Sequence, residues 1–152
     1  MKIKVEVDEK LADTEIVIRT PRLDEHIAQT VKEISRQVKT APQIDFYQAG
    51  VRYFLDLDKI LFFETADRKV IAHTAESTYA ASLKLYELEE SLPRVFVRSS
   101  KSTIVNLKQI FSVDHSLRGN LVKFRNSHKQ LYVSRSYYQE FKHRLDERSR
   151  LI

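Results

Sequence analysis

The sequence predicts an α+β fold that is mostly β, in two parts: a small β-β-α unit over residues 1–43 and a strand-rich domain over residues 44–152. Three observations predict it. After residue 44, short runs rich in β-branched and aromatic residues recur between clusters of turn residues. Only three stretches space their apolar residues like a helix. The charge also divides: residues 1–43 carry eight Lys/Arg and eight Asp/Glu, while residues 44–152 carry 18 against 13, so the whole formal +5 lies in the second part.

In the first part, Ile3, Val5 and Val7 alternate with Lys4 and Glu6, which predicts a half-buried strand, and Ile16-Val17-Ile18 predicts a second. Pro21 interrupts the pattern, and Asp24 is placed to cap a helix running to about Lys39. Ile27, Val31, Ile34 and Val38 supply its apolar stripe. A unit this small owns little core, so it is expected to pack on the strand-rich domain.

In the second part, strands are predicted at Ile44–Tyr47 and Val51–Leu57 around an Ala49-Gly50 turn, then at Ile60–Glu64 and Val70–His73 around Ala66-Asp67-Arg68-Lys69. A helix runs from Ser82 to Leu92, with Leu85, Leu88 and Leu92 on one face and Pro93 closing it. Further strands are predicted at Val95–Arg98, Thr103–Val105, Ile110–Asp114, Leu121–Arg125 and Gln130–Val133. The last helix is expected to start with Ser136 as N-cap and Gln139 completing a capping box, its apolar stripe being Tyr138, Phe141 and Leu145.

Composition narrows the function. No cysteine occurs, which removes disulfides, thiolate zinc sites and thiol catalysis and fits a reducing cytoplasm. No run approaches the ~18 apolar residues of a membrane helix, and the first residues lack the apolar core of a signal peptide, so a cytoplasmic protein is expected. Two glycines cannot build a Gly-rich phosphate loop. The five histidines show no metal-ligand spacing, and no nucleophile elbow accompanies any serine, so neither catalysis, a metal nor a cofactor is expected. Between Arg94 and Arg135, nine basic residues stand against Asp114 alone. Such an excess attracts a polyanion and releases its counterions on contact; a merely solvated basic face is the plainer reading of charge taken alone.

The pieces Ile60-Leu61-Phe62-Phe63-Glu64, Asp67-Arg68-Lys69 with Val70-Ile71-Ala72-His73-Thr74, Ser82-Leu83-Lys84 with Leu88-Glu89-Glu90, Phe96 to Asn106, and Val133-Ser134-Arg135-Ser136-Tyr137 succeed one another in a specific order and spacing. Read together they resemble a LytTR domain, the DNA-binding module of many bacterial response regulators and standalone regulators; the resemblance spans about residues 44–146. It implies an elongated antiparallel β-sandwich with few helices, whose loops rather than a recognition helix enter DNA. It implies contact with two successive major grooves and the minor groove between them. Binding as a homodimer on paired half-sites, arranged as direct repeats, goes with it.

Carried over by motif, three loops should face double-stranded DNA: Asp67–Val70, Arg98–Ser102 and Ser134–Ser136. The candidate contacts are Arg68, Lys69, Arg98, Ser99, Ser100, Lys101, Ser102, Ser134, Arg135 and Ser136. Arg135 stands first: beside a helix N-terminus that favours phosphate, its guanidinium can pair bidentately with guanine. Lys101 sits among small hydroxyls and can reach farther than they do. Arg98 is either a phosphate contact or a strand-surface residue, and Lys108 at most a phosphate contact. Asn106 and Glu64 read as structural, the first setting a turn and the second bracing a loop.

Sequence-specific DNA binding and transcriptional regulation is therefore the function expected. The alternative is an effector-responsive or protein-interaction module, in which residues 1–43 meet a sensor or membrane protein and DNA binding is secondary. Those 43 residues are too few for a phosphoacceptor receiver domain, which needs roughly a full domain of its own.

Overall fold

The computed structural model describes residues 1–11, 14–38 and 42–151. Among the described residues, ten strands form two antiparallel sheets. In chain order these are β1 (Phe46–Gln48), β2 (Val51–Tyr53), β3 (Phe62–Ala66), β4 (Lys69–His73), β5 (Thr78–Ala81), β6 (Phe96–Ser100), β7 (Thr103–Asn106), β8 (Ile110–Ser116), β9 (Gly119–Phe124) and β10 (Gln130–Val133). The helices are α1 (Glu25–Val38), α2 (Leu85–Ser91) and α3 (Arg135–Leu151). The larger sheet has the order β2-β1-β5-β4-β3-β7-β6 and the smaller β10-β9-β8.

Alternation along the central strands buries both faces of the larger sheet. Phe63, Phe96 and Ile104 enter one core with Phe46, Ile60, Val70, Ala72 and the α2 residues Leu85 and Leu88. Their neighbours Phe62, Val97 and Val105 enter the other, with Val122, Phe124 and Val133 of the smaller sheet and Phe141 of α3. Successive side chains of a strand point to opposite faces, so consecutive apolar residues are what a sheet covered on both sides requires. The Phe62 ring stacks between His73 at 4.2 Å and Phe124 at 5.3 Å, joining the sheets.

Most expected elements form, with shifted ends. The β1–β2 turn has Ala49 and Gly50 at φ 50° and 77°, and the β3–β4 turn has Asp67 and Arg68 at φ 49° and 65°. Two consecutive residues of positive φ match the twist of a tight hairpin. Strand β5 is not predicted by the sequence: Thr78-Tyr79-Ala80-Ala81 alternates weakly, and the strand exists because it fills the gap between β4 and β1.

The N-terminal β-β-α unit is corrected. Neither Ile3–Val7 nor Ile16–Ile18 forms a strand; Ile3, Val5 and Val7 are at least 82% exposed. An alternating run becomes a strand only when an edge accepts its backbone bonds, and no edge reaches it. The helix does form, with the Asp24 carboxylate accepting the Ile27 N–H at 2.9 Å as the cap. It packs less than expected: Ile27 and Ile34 are half-buried while Val31 is exposed. Lys32 and Arg36 line a cleft shared with Glu89, Glu90 and Arg94.

Candidate nucleic-acid interface

Backbone bonds bring the three predicted loops to one side of the molecule. Because β3 pairs antiparallel with both β4 and β7, the β3–β4 turn and the β6–β7 turn emerge at the same end of the sheet. The Thr65 N–H donates to the Ser102 carbonyl at 2.8 Å and fastens the first loop to the second. The Ser134 N–H donates to the Ser99 carbonyl at 2.8 Å and fastens the second to the third. Arg68, Lys69, Lys101 and Arg135 are all exposed there, and none has a carboxylate within ion-pair reach among the described residues.

Each loop has a different device for holding its cation. Arg68 occupies the left-handed region at the second turn position, a conformation that costs a non-glycine residue about 1–2 kcal/mol. The β6–β7 hairpin carries a register shift between Arg98 and Ser100, so Ser99 is an extra residue in the ladder. Ser99 is thereby turned inward and fully buried, its Oγ facing the Thr103 carbonyl, which makes it a brace rather than an exposed contact. Ser100 and Ser102 bond each other across the turn at 3.5 Å and leave Lys101 at the tip.

Arg98 is a brace too. Its guanidinium pairs with the Glu89 carboxylate of α2 and donates to the Lys101 carbonyl. Its Nε and Nη1 are used inside the protein, so Arg98 positions Lys101. The third loop shifts as well: α3 starts at Arg135, one residue before the expected cap. The Ser134 carbonyl accepts the Tyr137 N–H at 3.1 Å, so Ser134 stands at the cap position. Arg135 is then the first residue of the helix, and Ser136 lies within its first turn, 3.4 Å from the Ser134 hydroxyl. Free N–H groups of that turn still favour an anion.

The opposite end carries structural polar groups. Asn106 is fully buried, donating to the Ile60 carbonyl at 2.9 Å and accepting the Lys108 N–H at 3.0 Å, which is the turn-setting role expected of it. Lys108 is bound to Asp58 at 3.2 Å and lies with Asn106, away from the three loops. Glu64 accepts from His73 Nε2 at 2.7 Å, and Lys129 donates to His73 Nδ1 at 3.3 Å and to the Ser77 carbonyl at 2.8 Å. Burial, aided by the Lys129 charge and opposed by Glu64, holds the His73 pKa below its ordinary value; burial likewise lowers that of Lys129. Among the described residues no cluster of His, Asp and Glu is placed to hold a metal ion, and no helix is long and apolar enough to cross a membrane.

Comparison with known proteins gives a consistent result. Residues 50–146 match the family described as the LytTr DNA-binding domain. An uncharacterized HTH-type transcriptional regulator of Staphylococcus aureus strain MSSA476 is 26% identical over 145 residues, covering 95% of this chain and 98% of that protein. The counterpart in strain COL is 24% identical over the same length. The solved LytTr DNA-binding domain of a Bacillus cereus response regulator superposes with a TM-score of 0.60 at 25% identity, covering 65% of this chain and 92% of that one. No two helices among the described residues are joined by a short turn, so no helix-turn-helix is formed by α1, α2 and α3.

Proposed function

This chain belongs to the LytTr DNA-binding domain family, and from that premise we propose that it regulates transcription by gripping specific duplex sites with the three linked loops. The observation that carries the reading is the placement of Arg68, Lys69, Lys101 and Arg135, exposed and without carboxylate partners among the described residues, on loops fastened to one another by Thr65–Ser102 and Ser99–Ser134. Arg135 reads a base edge, and Lys101 and Arg68 or Lys69 hold flanking phosphates or groove edges. Ser100, Ser102, Ser134 and Ser136 supply short hydroxyl contacts, and Ser99 and Arg98 set the loop.

Residues 44–152 carry the DNA contact, and residues 1–43 join two copies on paired half-sites. The support for the second statement is the row of exposed apolar residues Ile3, Val5, Val7, Ile16 and Val17, which one copy leaves uncovered. The protein acts in the bacterial cytoplasm, where its DNA is. Selection of bound sequences from random duplex DNA, at a stated salt concentration, tests the reading. The expected product is a short recurring motif, found as a pair at spacings of one or two helical turns. Recovery of unenriched sequence at every salt concentration contradicts it.

A further inference from the structure

The geometry points to a fourth DNA contact: the β8–β9 hairpin tip, Leu117-Arg118, gripping the phosphate backbone beside the site read by Arg135. This rests on the DNA-binding role proposed for the linked loops. Asn120 pairs with Val133, the residue immediately before Ser134 and Arg135, while Ser116 pairs with Gly119. The two tip residues therefore project past Val133 on the side from which Arg135 emerges, by roughly 7 Å at strand rise. They stand next in the chain of links that already joins Arg68, Lys101 and Arg135.

The tip is closed by its own hydrogen bonds. Gly119 takes φ 123°, which lets the hairpin close tightly. The Ser116 hydroxyl accepts the Arg118 N–H at 3.3 Å and donates to the Gly119 carbonyl at 3.3 Å. Below it, His115 Nδ1 donates to Asn120 Oδ1 at 2.6 Å and faces the Tyr138 hydroxyl at 3.4 Å, which ties the hairpin to the first turns of the helix that begins with Arg135. Leu117 is fully exposed and Arg118 is exposed with no carboxylate partner among the described residues. A lone exposed Leu is ordinary; beside Arg118 at the same tip, it supplies an apolar surface for a deoxyribose. The nearest acid on the hairpin, Asp114, lies opposite Leu121, below the tip.

The test titrates the full chain against duplexes carrying one copy of the selected site, and against scrambled duplexes, at several salt concentrations. Arg118→Ala is expected to weaken both duplexes alike, about three- to tenfold near 0.1 M salt, and to lower the salt slope by about one unit. Arg118→Lys is expected to restore the slope, since the charge returns. Trimming the duplex by about half a turn on the flank is expected to erase the difference between Arg118→Ala and the unaltered chain. If Arg118→Ala leaves affinity and slope unchanged while Arg135→Ala loses the preferred site, the tip is off the DNA and the three-loop reading stands. If Arg118→Ala acts only on two-site duplexes, the tip touches the neighbouring copy and the proposal is overturned. If Arg135→Ala and Lys101→Ala both bind as the unaltered chain does, the DNA-binding end itself is misplaced and the proposal falls with it. Circular dichroism of each variant separates these results from loss of folding.

Discussion

Ser134 donates its backbone N–H to the Ser99 carbonyl at 2.8 Å, and that bond fixes the start of α3 against the bulge of the β6–β7 hairpin. The residue after one partner is Arg135; two residues after the other is Lys101. The segments that carry the Arg135 guanidinium and the Lys101 ammonium are thus joined by main-chain atoms. Rigid presentation matters because a loop that must be ordered on binding loses part of its interaction energy to entropy.

The hairpin offers a first prediction, since Arg98 braces it and Lys101 stands exposed at its tip. Arg98→Ala should cost about 1 kcal/mol of stability, the sum of a half-exposed ion pair and one carbonyl hydrogen bond. It should also weaken DNA binding a few-fold through the loosened loop. Lys101→Ala should leave urea unfolding unchanged and weaken binding with a lower salt slope. Equal stability losses in the two variants would remove the distinction between brace and contact.

Arg68 gives a second prediction because its strain and its charge have opposite consequences. Arg68→Gly relieves the left-handed conformation at φ 65° and should stabilise the fold by up to about 1 kcal/mol. The same change should weaken DNA binding. Denaturant midpoints and duplex titrations read the two effects separately; a variant both less stable and equally tight in binding would contradict the assignment.

A third prediction concerns pH. The His73 pKa is lowered from 6.5 chiefly by burial. Above that value both folded and unfolded chains hold it neutral, and its contribution is whole. As pH falls through 6.5 the unfolded chain takes the proton first, so stability declines until the folded pKa is passed, where the loss levels off. Unfolding midpoints measured from about pH 7.5 to about pH 5.5 should fall less steeply for His73→Gln than for the unaltered chain. Parallel slopes would show that His73 is not the titrating group.

The strands after residue 44 are largely legible in the sequence because alternation and turn residues agree with the fold, and because both faces of the central strands are covered. Strand β5 is not: with Ala80 and Ala81 it has little side-chain signal, and pairing on both edges makes it a strand. The opposite holds at Ile3–Val7, where alternation exists without an edge to receive it. The family resemblance picks out the three candidate loops but not the direction of each side chain. The bulge that buries Ser99 and the Glu89 partner that occupies Arg98 are tertiary facts. The same is true of Lys108, whose partner Asp58 lies 50 residues away in sequence.

The most direct test of the DNA-binding end sets Arg135→Ala beside Lys108→Ala, titrating each against the preferred and a scrambled duplex at several salt concentrations. Arg135→Ala is expected to cost about 1–3 kcal/mol on the preferred duplex, to relax preference at one base pair, and to change the scrambled duplex much less. Lys108→Ala, bound to Asp58 at the other end, is expected to leave both affinities and the salt slope unchanged. A loss from Lys108→Ala equal to that from Arg135→Ala, or no loss from Arg135→Ala on either duplex, would contradict the placement of DNA on the linked loops.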